Sequence, residues 1–571
     1  MGKYIRISTI FMAAMSFAAC SFLDLKPNII SSETYYESMK EVQSGLVGIY
    51  GVMNNEAFYG NYYSLMLSNV DDLSYYNRTT TPNQLTLWYK HDASASEIYD
   101  AWQLIYKGIR NANAFMEAIE DSEFDPDHTL YQEARFMRAF YHFILAQAWG
   151  NVPLKTESTK TPDDVMGKAT PQEEVLDWVI KEMDATLEYL PEDLANAPSR
   201  ITRDAANGIL ARVCLFMAGE SVSAGEKTKK EYFKLASDYA YAVISTNRHH
   251  LNKEYSNVFI NMISDIYDKE YNESMWEADF YGDRSGPDTW TNGRIGDVIG
   301  LQSSGADDFS NWSCNYSYGM YDGTLKLWDL YLVEDRTEDE SELDYITDKR
   351  QEWNMPPYNY AGNTSHPPYG SGLTEGVSLA SYDKTPYVYD NVSTSNDPLA
   401  APAIRNCGKY RREVEYEGVK TSKSLYTTIN YPILRYSDVM LMYAEAVNEY
   451  NGTPSQEAYD MVKEIRDRAG IKTKEFSSYS SYEAFRDLVR NERGRELCFE
   501  SIRKYDLIRW GIFVKTMNEY PKWTNDDRWS KNAKAEYAAA IGTSVQEKHI
   551  VLPIPAIELG VNKDLTQNPL W

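Results

Sequence analysis

Several long stretches of this chain repeat apolar residues every three or four positions, and helices of that kind bury their apolar faces only by packing on one another. In 133–149 the residues Ala134, Met137, Tyr141, Ile144 and Ala148 form one stripe. Gly150 follows as the expected C-cap, and Pro153 prevents a restart. In 202–219 a second stripe runs through Ala206, Ile209, Leu210, Val213 and Met217, and Gly208 within it predicts a closely packed neighbouring helix. Two helix starts echo each other, Thr170-Pro171-Gln172-Glu173 and Thr453-Pro454-Ser455-Gln456. In each, the threonine reads as N-cap and the proline as the first helical residue.

Pairing these segments yields four helical hairpins: 39–53 with 98–119, 133–149 with the helix opened at 170, 202–217 with 232–244, and 436–450 with the helix opened at 453. The expected fold is therefore all-α, a tetratricopeptide-like array of irregular period whose units are stabilised by stacking. Between 251 and 430 the helical periodicity fades, and Gly, Pro, Asn, Asp and Tyr take over. A stretch of that length is too long for a plain connector, so it is expected to pack as a subdomain and to carry function. The resulting scheme is a signal segment at 1–19, a helical scaffold at 20–250, a loop-rich ligand-binding insertion at 251–430 and a helical part completing the scaffold at 431–571.

Lys3 and Arg6 precede the apolar run 7–18, and the small residue Ala19 stands directly before Cys20. This is the pattern of a secretory signal ending at a lipid-acceptor cysteine, so Cys20 is the expected lipidation site. No other segment reaches 18 consecutive apolar residues, which leaves that lipid as the expected membrane attachment. The formal charge of −27 argues against nucleic acid or an anionic lipid surface as a partner of the protein body. Cys214, Cys314, Cys407 and Cys498 are too few and too scattered for a disulfide scaffold or a cysteine-based zinc site.

The segment Glu133-Ala134-Arg135-Phe136-Met137-Arg138-Ala139-Phe140-Tyr141, continuing to Trp149-Gly150-Asn151-Val152-Pro153-Leu154, resembles the helical signature of the SusD/RagB family of Bacteroidetes outer-membrane lipoproteins. Four more matches follow in family order. They are Trp102-x-x-x-Tyr106-x-x-Ile109-x-x-Ala112-Asn113; Tyr431-Pro432-Ile433-Leu434-Arg435-Tyr436-Ser437-Asp438 with Ala444-Glu445-Ala446; Arg490-Asn491-Glu492-Arg493-Gly494-Arg495-Glu496-Leu497 with Tyr505-Asp506-Leu507-Ile508-Arg509-Trp510-Gly511; and Leu552-Pro553-Ile554-Pro555 with Gln567-Asn568-Pro569. The resemblance implies four tetratricopeptide-like units with an irregular subdomain holding the ligand site. It also implies a non-enzymatic role at the cell surface, capturing glycan and passing it to a SusC-like TonB-dependent outer-membrane barrel, with peptide capture in a minority branch.

The chain carries 46 Tyr and 13 Trp, many of them in predicted loops. A sugar offers an apolar C–H face ringed by hydroxyls, so its binder needs flat aromatic platforms flanked by amide, carboxylate and guanidinium groups. Two regions have that makeup. The first holds Tyr75, Tyr76, Asn77, Arg78 and Trp88; the second holds Asp279, Tyr281, Trp290, Arg294, Trp312, Asn315, Tyr316, Tyr318 and Tyr321. Trp102, Trp149, Trp178 and Trp510 sit on helix faces and are expected in the core, and the run 490–496 has the spacing of intrahelical and inter-element ion pairs.

Rival classes are a glycoside hydrolase and a helical scaffold for proteins. The close acidic pairs Asp71-Asp72, Asp125 with Asp127, and Asp307-Asp308 carry no spacing that marks a catalytic pair. The seven histidines show no His-Glu-x-x-His and no ligand pair on a helix face, so no cofactor or histidine-held metal is expected, and calcium on an Asp-rich loop stays an open alternative without a characteristic spacing.

Overall fold

The computed structural model describes residues 36–79, 84–161, 164, 166–195, 197–280, 293–303, 316–332, 348–356, 358–360, 384–386, 388–389, 392–393, 404–412, 415, 425–519 and 533–571. The protein is mostly helical, as its periodicity predicts. The N-terminal half contains α1 (Met39–Tyr50), α2 (Ser96–Ile119), α3 (Thr129–Trp149), α4 (Gln172–Asp184), α5 (Arg203–Met217), α6 (Lys229–Ile244) and α7 (Tyr255–Ile263). The middle holds the short helices α8 (Leu325–Tyr331) and α9 (Lys349–Asn354). The C-terminal part adds α10 (Tyr436–Asn451), α11 (Gln456–Arg468), α12 (Tyr482–Leu497), α13 (Arg503–Arg509), α14 (Phe513–Met517), α15 (Ala533–Ser544) and α16 (Ala556–Val561).

The expected hairpin partners touch: α1 with α2, α3 with α4, α5 with α6, and α10 with α11. Helix α2 also packs on α3, and α6 packs on α10, which joins the N-terminal and C-terminal helices into one scaffold. Trp102 and Trp149 meet edge to face in that core with ring centroids 5.5 Å apart. Gly150 ends α3 at φ +75°, a conformation open to glycine, with its N–H donating to the Ala146 carbonyl. A Cβ at Gly208 would lie 2.5 Å from Leu434 Cδ2, on the strand Tyr431–Arg435, and 3.2 Å from Val439 Cγ2 of α10, so the tightest neighbour is a strand and the expected helix packs beside it.

Two cap assignments move. Thr170 does not cap α4, because its N–H and C=O are spent on Val152 in an extended bridge, and the helix starts after Pro171. Thr453 does not cap α11 either; Ser455, two residues nearer, accepts the Ala458 N–H at 3.1 Å.

Strands come as two-stranded pieces: β1 (Ser74–Tyr76) pairs antiparallel with β3 (Tyr321–Gly323), and β2 (Ser274–Ala278) with β8 (Tyr431–Arg435). The pairs β4 (Tyr358–Tyr360) with β5 (Lys384–Pro386), and β6 (Val388–Tyr389) with β7 (Val392–Ser393), complete the described strands.

Helix α12 carries the charged run singled out in the sequence, and that run sits in the interior. Glu496 accepts from Arg468 at 2.6 Å, Arg350 at 2.9 Å and Arg435 at 3.0 Å. Arg435 also reaches Glu500 and Glu273, and Lys409 reaches Glu500 at 2.5 Å. Buried charges persist only when paired this completely, and the pairing ties α9, α11, α12 and β8 to the loop around residue 409.

Cys214, Cys407 and Cys498 are buried free thiols, whereas Cys20 and Cys314 lie outside the described residues. Among the described residues no helix is long and apolar enough to cross a membrane.

Candidate functional site

The β1/β3 pair sets the site. Beyond the Tyr76–Tyr321 register, Asn77 N–H donates to the Met320 carbonyl at 3.0 Å, so the chain leaving β1 and the chain entering β3 stay together. Buried Asp322 locks this junction: Oδ1 accepts from Asn77 and from Asn406, both at 2.6 Å, and Oδ2 accepts from Lys534 at 3.0 Å. The same two asparagine amides hold the Gly319 carbonyl, at 2.8 and 3.1 Å. Gly319 itself lies at φ +53°, with Gln302 N only 2.8 Å from where a Cβ would stand.

This turn presents Tyr318 and Tyr316, both half-buried, as perpendicular rings with centroids 4.8 Å apart. The Arg78 guanidinium lies 5.2 Å from the Tyr318 centroid and donates to the Tyr318 carbonyl at 2.7 Å. The Arg294 guanidinium lies 6.0 Å from the same ring. Arg294 is held by Asp297 at 2.7 Å and by Glu56 at 3.7 Å, and its N–H donates to the Gly60 carbonyl at 2.8 Å. Burial raises the Asp297 carboxyl to about 6, against the opposing pull of Arg294. Arg412 closes the lower edge, donating to the Tyr316 carbonyl at 2.5 Å and pairing with Glu415.

The result is a pair of fixed tyrosine rings bracketed by two guanidinium groups, with a carboxylate and the Tyr426 hydroxyl behind them. Chemically it offers an apolar face beside multiple N–H donors, a surface suited to a polyol.

The sequence expectations divide. Arg78, Arg294, Tyr316 and Tyr318 come together here, and Asn77 is present as the buried clamp rather than at the surface. Tyr75, Tyr76, Trp88 and Tyr321 are corrections: they are 0%, 1%, 5% and 0% exposed, so no ring face is open to a ligand. The reason is that both faces of the strand pair are covered, so Tyr75 and Tyr76, which point to opposite faces, are buried alike; Tyr321 donates to the Leu65 carbonyl and Tyr76 to Gln84. Trp88 packs on Tyr537 of α15. Asp279 sits beyond β2 and accepts from Tyr267 at 3.0 Å. Tyr281, Trp290, Trp312 and Asn315 lie outside the described residues.

Glu56, Asn406, Arg412 and Tyr426 escaped the sequence reading. Glu56 and Tyr426 stand 370 positions apart, and no local pattern joins them. The i,i+3 spacing of Arg294 and Asp297 was the one available signal.

The acidic pairs have structural partners. Asp72 is held by Arg503 and Lys326, Asp71 accepts the N–H groups of Leu73 and Ser74, and Asp125 caps the first turn of α3 through Leu130 and Tyr131. Asp307 and Asp308 lie outside the described residues. Among the described residues no group of three or more His, Cys, Asp or Glu is arranged to hold a metal ion.

A sequence model described as the SusD family matches residues 272–571, more than half of the chain. The chain belongs to the SusD family. A second model, described as "Starch-binding associating with outer membrane", matches residues 21–215 of this SusD-family chain. SusD-like protein P25 of Formosa agariphila is 24% identical over 577 residues, covering 98% of this chain and 97% of the relative. Among solved structures, a SusD homologue from Bacteroides thetaiotaomicron superposes with a TM-score of 0.79 at 22% identity, over 95% of this chain and 99% of the other. A laminarin-binding SusD-like protein superposes with a TM-score of 0.66 at 19% identity, over 94% and 100%. These likenesses establish the SusD fold, including the helical scaffold expected from periodicity.

Proposed function

We propose that this SusD-family protein binds an oligo- or polysaccharide at the cell surface without bond chemistry. The observation that carries the reading is the Tyr316–Tyr318 pair bracketed by Arg78 and Arg294. The starch-binding description of the matching family model and the laminarin-binding relative support the same ligand class. In this reading Tyr281, Trp290, Trp312 and Asn315, from the loop-rich stretch 251–430, supply further stacking and polar groups. A lipid on Cys20 tethers the acidic body to the outer membrane, and the captured glycan passes to a SusC-like TonB-dependent barrel. Capture needs only orientation and release, which weak multivalent contacts with a polyol provide.

The test is calorimetric titration of the soluble body, lacking residues up to Cys20, against glycans of differing backbone, with Tyr318→Ala and Trp312→Ala alongside. Saturable binding without chromatographic product, weakened roughly ten-fold (about 1.4 kcal/mol) by each substitution, is the expected outcome. Turnover would replace the reading with a hydrolase, and silence across the glycans with saturation by oligopeptides would replace it with peptide capture.

A further inference from the structure

A second cleft lies on the helical scaffold, built from segments about 450 positions apart in the chain. It has a volume of about 230 Å³ and is walled by α2, by residues 153–159 and Asp164 from the chain that follows α3, and by Glu558 and Asn562 of α16 and its C-cap. On α2, Gln103, Tyr106, Lys107 and Arg110 recur at steps of three and four and remain exposed or half-buried. Tyr106 is fixed as a wall because its hydroxyl donates to the Pro153 carbonyl at 2.8 Å and its ring lies 4.9 Å from Trp102. Buried Asn562 closes the opposite side, donating to the Gly167 carbonyl at 2.9 Å while accepting the Gly167 N–H at 3.3 Å.

The chemistry of the lining selects the ligand. Lys107, Arg110 and Lys155 face Glu157, Asp164 and Glu558, so the charges cancel and a strongly ionic ligand gains nothing overall. Arg110 and the Glu157 carboxylate have no hydrogen bond or ion pair among the described residues, and both are exposed. Lys155, by contrast, is spent on the Asp164 and Met166 carbonyls at 2.7 and 2.9 Å. Glu558 is half-buried; burial raises its carboxyl, against the pull of the Trp102 indole and the Lys155 ammonium. Alternating donors and acceptors around an aromatic wall, with no net charge, are the complement of a neutral polyol with an apolar ring face.

Ile557 and Val561, next in the chain to the lining residues Glu558 and Asn562, are 55% and 54% exposed, and α16 buries none of its residues.

We propose that this cleft is a second saccharide site, separate from the Tyr316–Tyr318 site and argued from its own residues. Two sites on one chain let a single polysaccharide engage both, and the second contact then forms at high effective concentration. Long chains are retained while short products are released.

The test is calorimetry with malto-oligosaccharide and laminari-oligosaccharide of six to seven sugars, using the wild-type body, the pair Arg110→Ala/Glu157→Ala, and Arg78→Ala. Arg110 and Glu157 are exposed and unpaired among the described residues, so their removal leaves the fold intact. Two equivalents bound by the wild type, falling to one in the cleft pair, is the expected result. A single equivalent abolished by the cleft pair and retained in Arg78→Ala also supports the cleft, and overturns the loop site instead. One equivalent untouched by the cleft pair and weakened by Arg78→Ala overturns the cleft and leaves the loop site standing. No binding of either sugar class by the wild type overturns the saccharide assignment of both.

Discussion

Replacing Glu496 by glutamine keeps the size of the side chain and removes the charge on which three guanidinium groups converge. Arg468, Arg350 and Arg435 reach it at 2.6, 2.9 and 3.0 Å, and Glu496 is fully buried. Each charge-assisted bond is worth about 1.5–3 kcal/mol, but the glutamine oxygen retains part of that and the remaining carboxylates share the arginines. Breaking one side of a buried pair costs about 3–5 kcal/mol because uncompensated charge stays behind. At about 2.1 cal/mol/K per residue, the unfolding entropy of the 571-residue chain is ~1.2 kcal/mol/K, so that cost lowers the thermal midpoint by about 2.5–4 °C. The control is Asp467→Asn, which breaks an exposed i,i+4 contact with Lys463 worth about 0.3–0.5 kcal/mol. The acid limb adds a second signature. Burial alone would raise the Glu496 carboxyl, but Arg468, Arg435 and Arg350 outweigh it and hold it well below the usual range. Its contribution is therefore complete above the unfolded carboxylate value and lost as pH falls below it, so wild type and variant converge in acid. Midpoints measured by differential scanning calorimetry decide the matter: a Glu496→Gln midpoint no lower than that of Asp467→Asn would refute the account of the network.

Burial pulls both His142 and His549 down to about 3, so each is neutral in the fold and binds a proton only when unfolded. Their contribution is complete above the ordinary histidine value near 6.5 and fades below it, by ~2 kcal/mol each at about pH 5; urea denaturation of a His142→Gln/His549→Gln variant should show a shallower decline between about pH 7 and pH 5 than wild type. Trp88→Ala is expected to lower stability by about 3–5 kcal/mol, as for a buried aromatic, while glycan affinity in the surviving folded fraction stays unchanged. Gly208→Ala places a methyl 2.5 Å from Leu434 Cδ2, and chemical denaturation should register about 1–3 kcal/mol of overpacking.

The helices were legible because an amphipathic helix writes its partner's position into its own period. The stripe through Ala134, Met137 and Tyr141 marked a helix but understated its burial, since every residue from Phe136 to Trp149 is buried and no face of that stretch is left to solvent; Gly208 adds that a neighbour is close. Caps were less legible: Thr170 has the right residue type, but an extended bridge to Val152 claimed its backbone first. Alternation of charge in 490–496 announced ion pairs, yet nothing in a linear string says that they are interior, since burial depends on Arg435, Arg468 and Arg350 arriving from three other elements.

At the candidate site, residue chemistry singled out Arg78, Arg294, Tyr316 and Tyr318, which the fold brings together. Tyr75, Tyr76 and Tyr321 have the same chemistry and the opposite fate. What separates them is place: Tyr75, Tyr76 and Tyr321 lie in the β1/β3 pair, which is buried on both faces, whereas Tyr316 and Tyr318 precede the turn beyond it that Asp322 clamps with partners supplied from residues 77, 406 and 534. Sequence alone thus determined which segments are helical and which residue types were on hand to meet a polyol. Only the tertiary structure decided which aromatics reach the surface, because exposure is set by contacts between residues hundreds of positions apart.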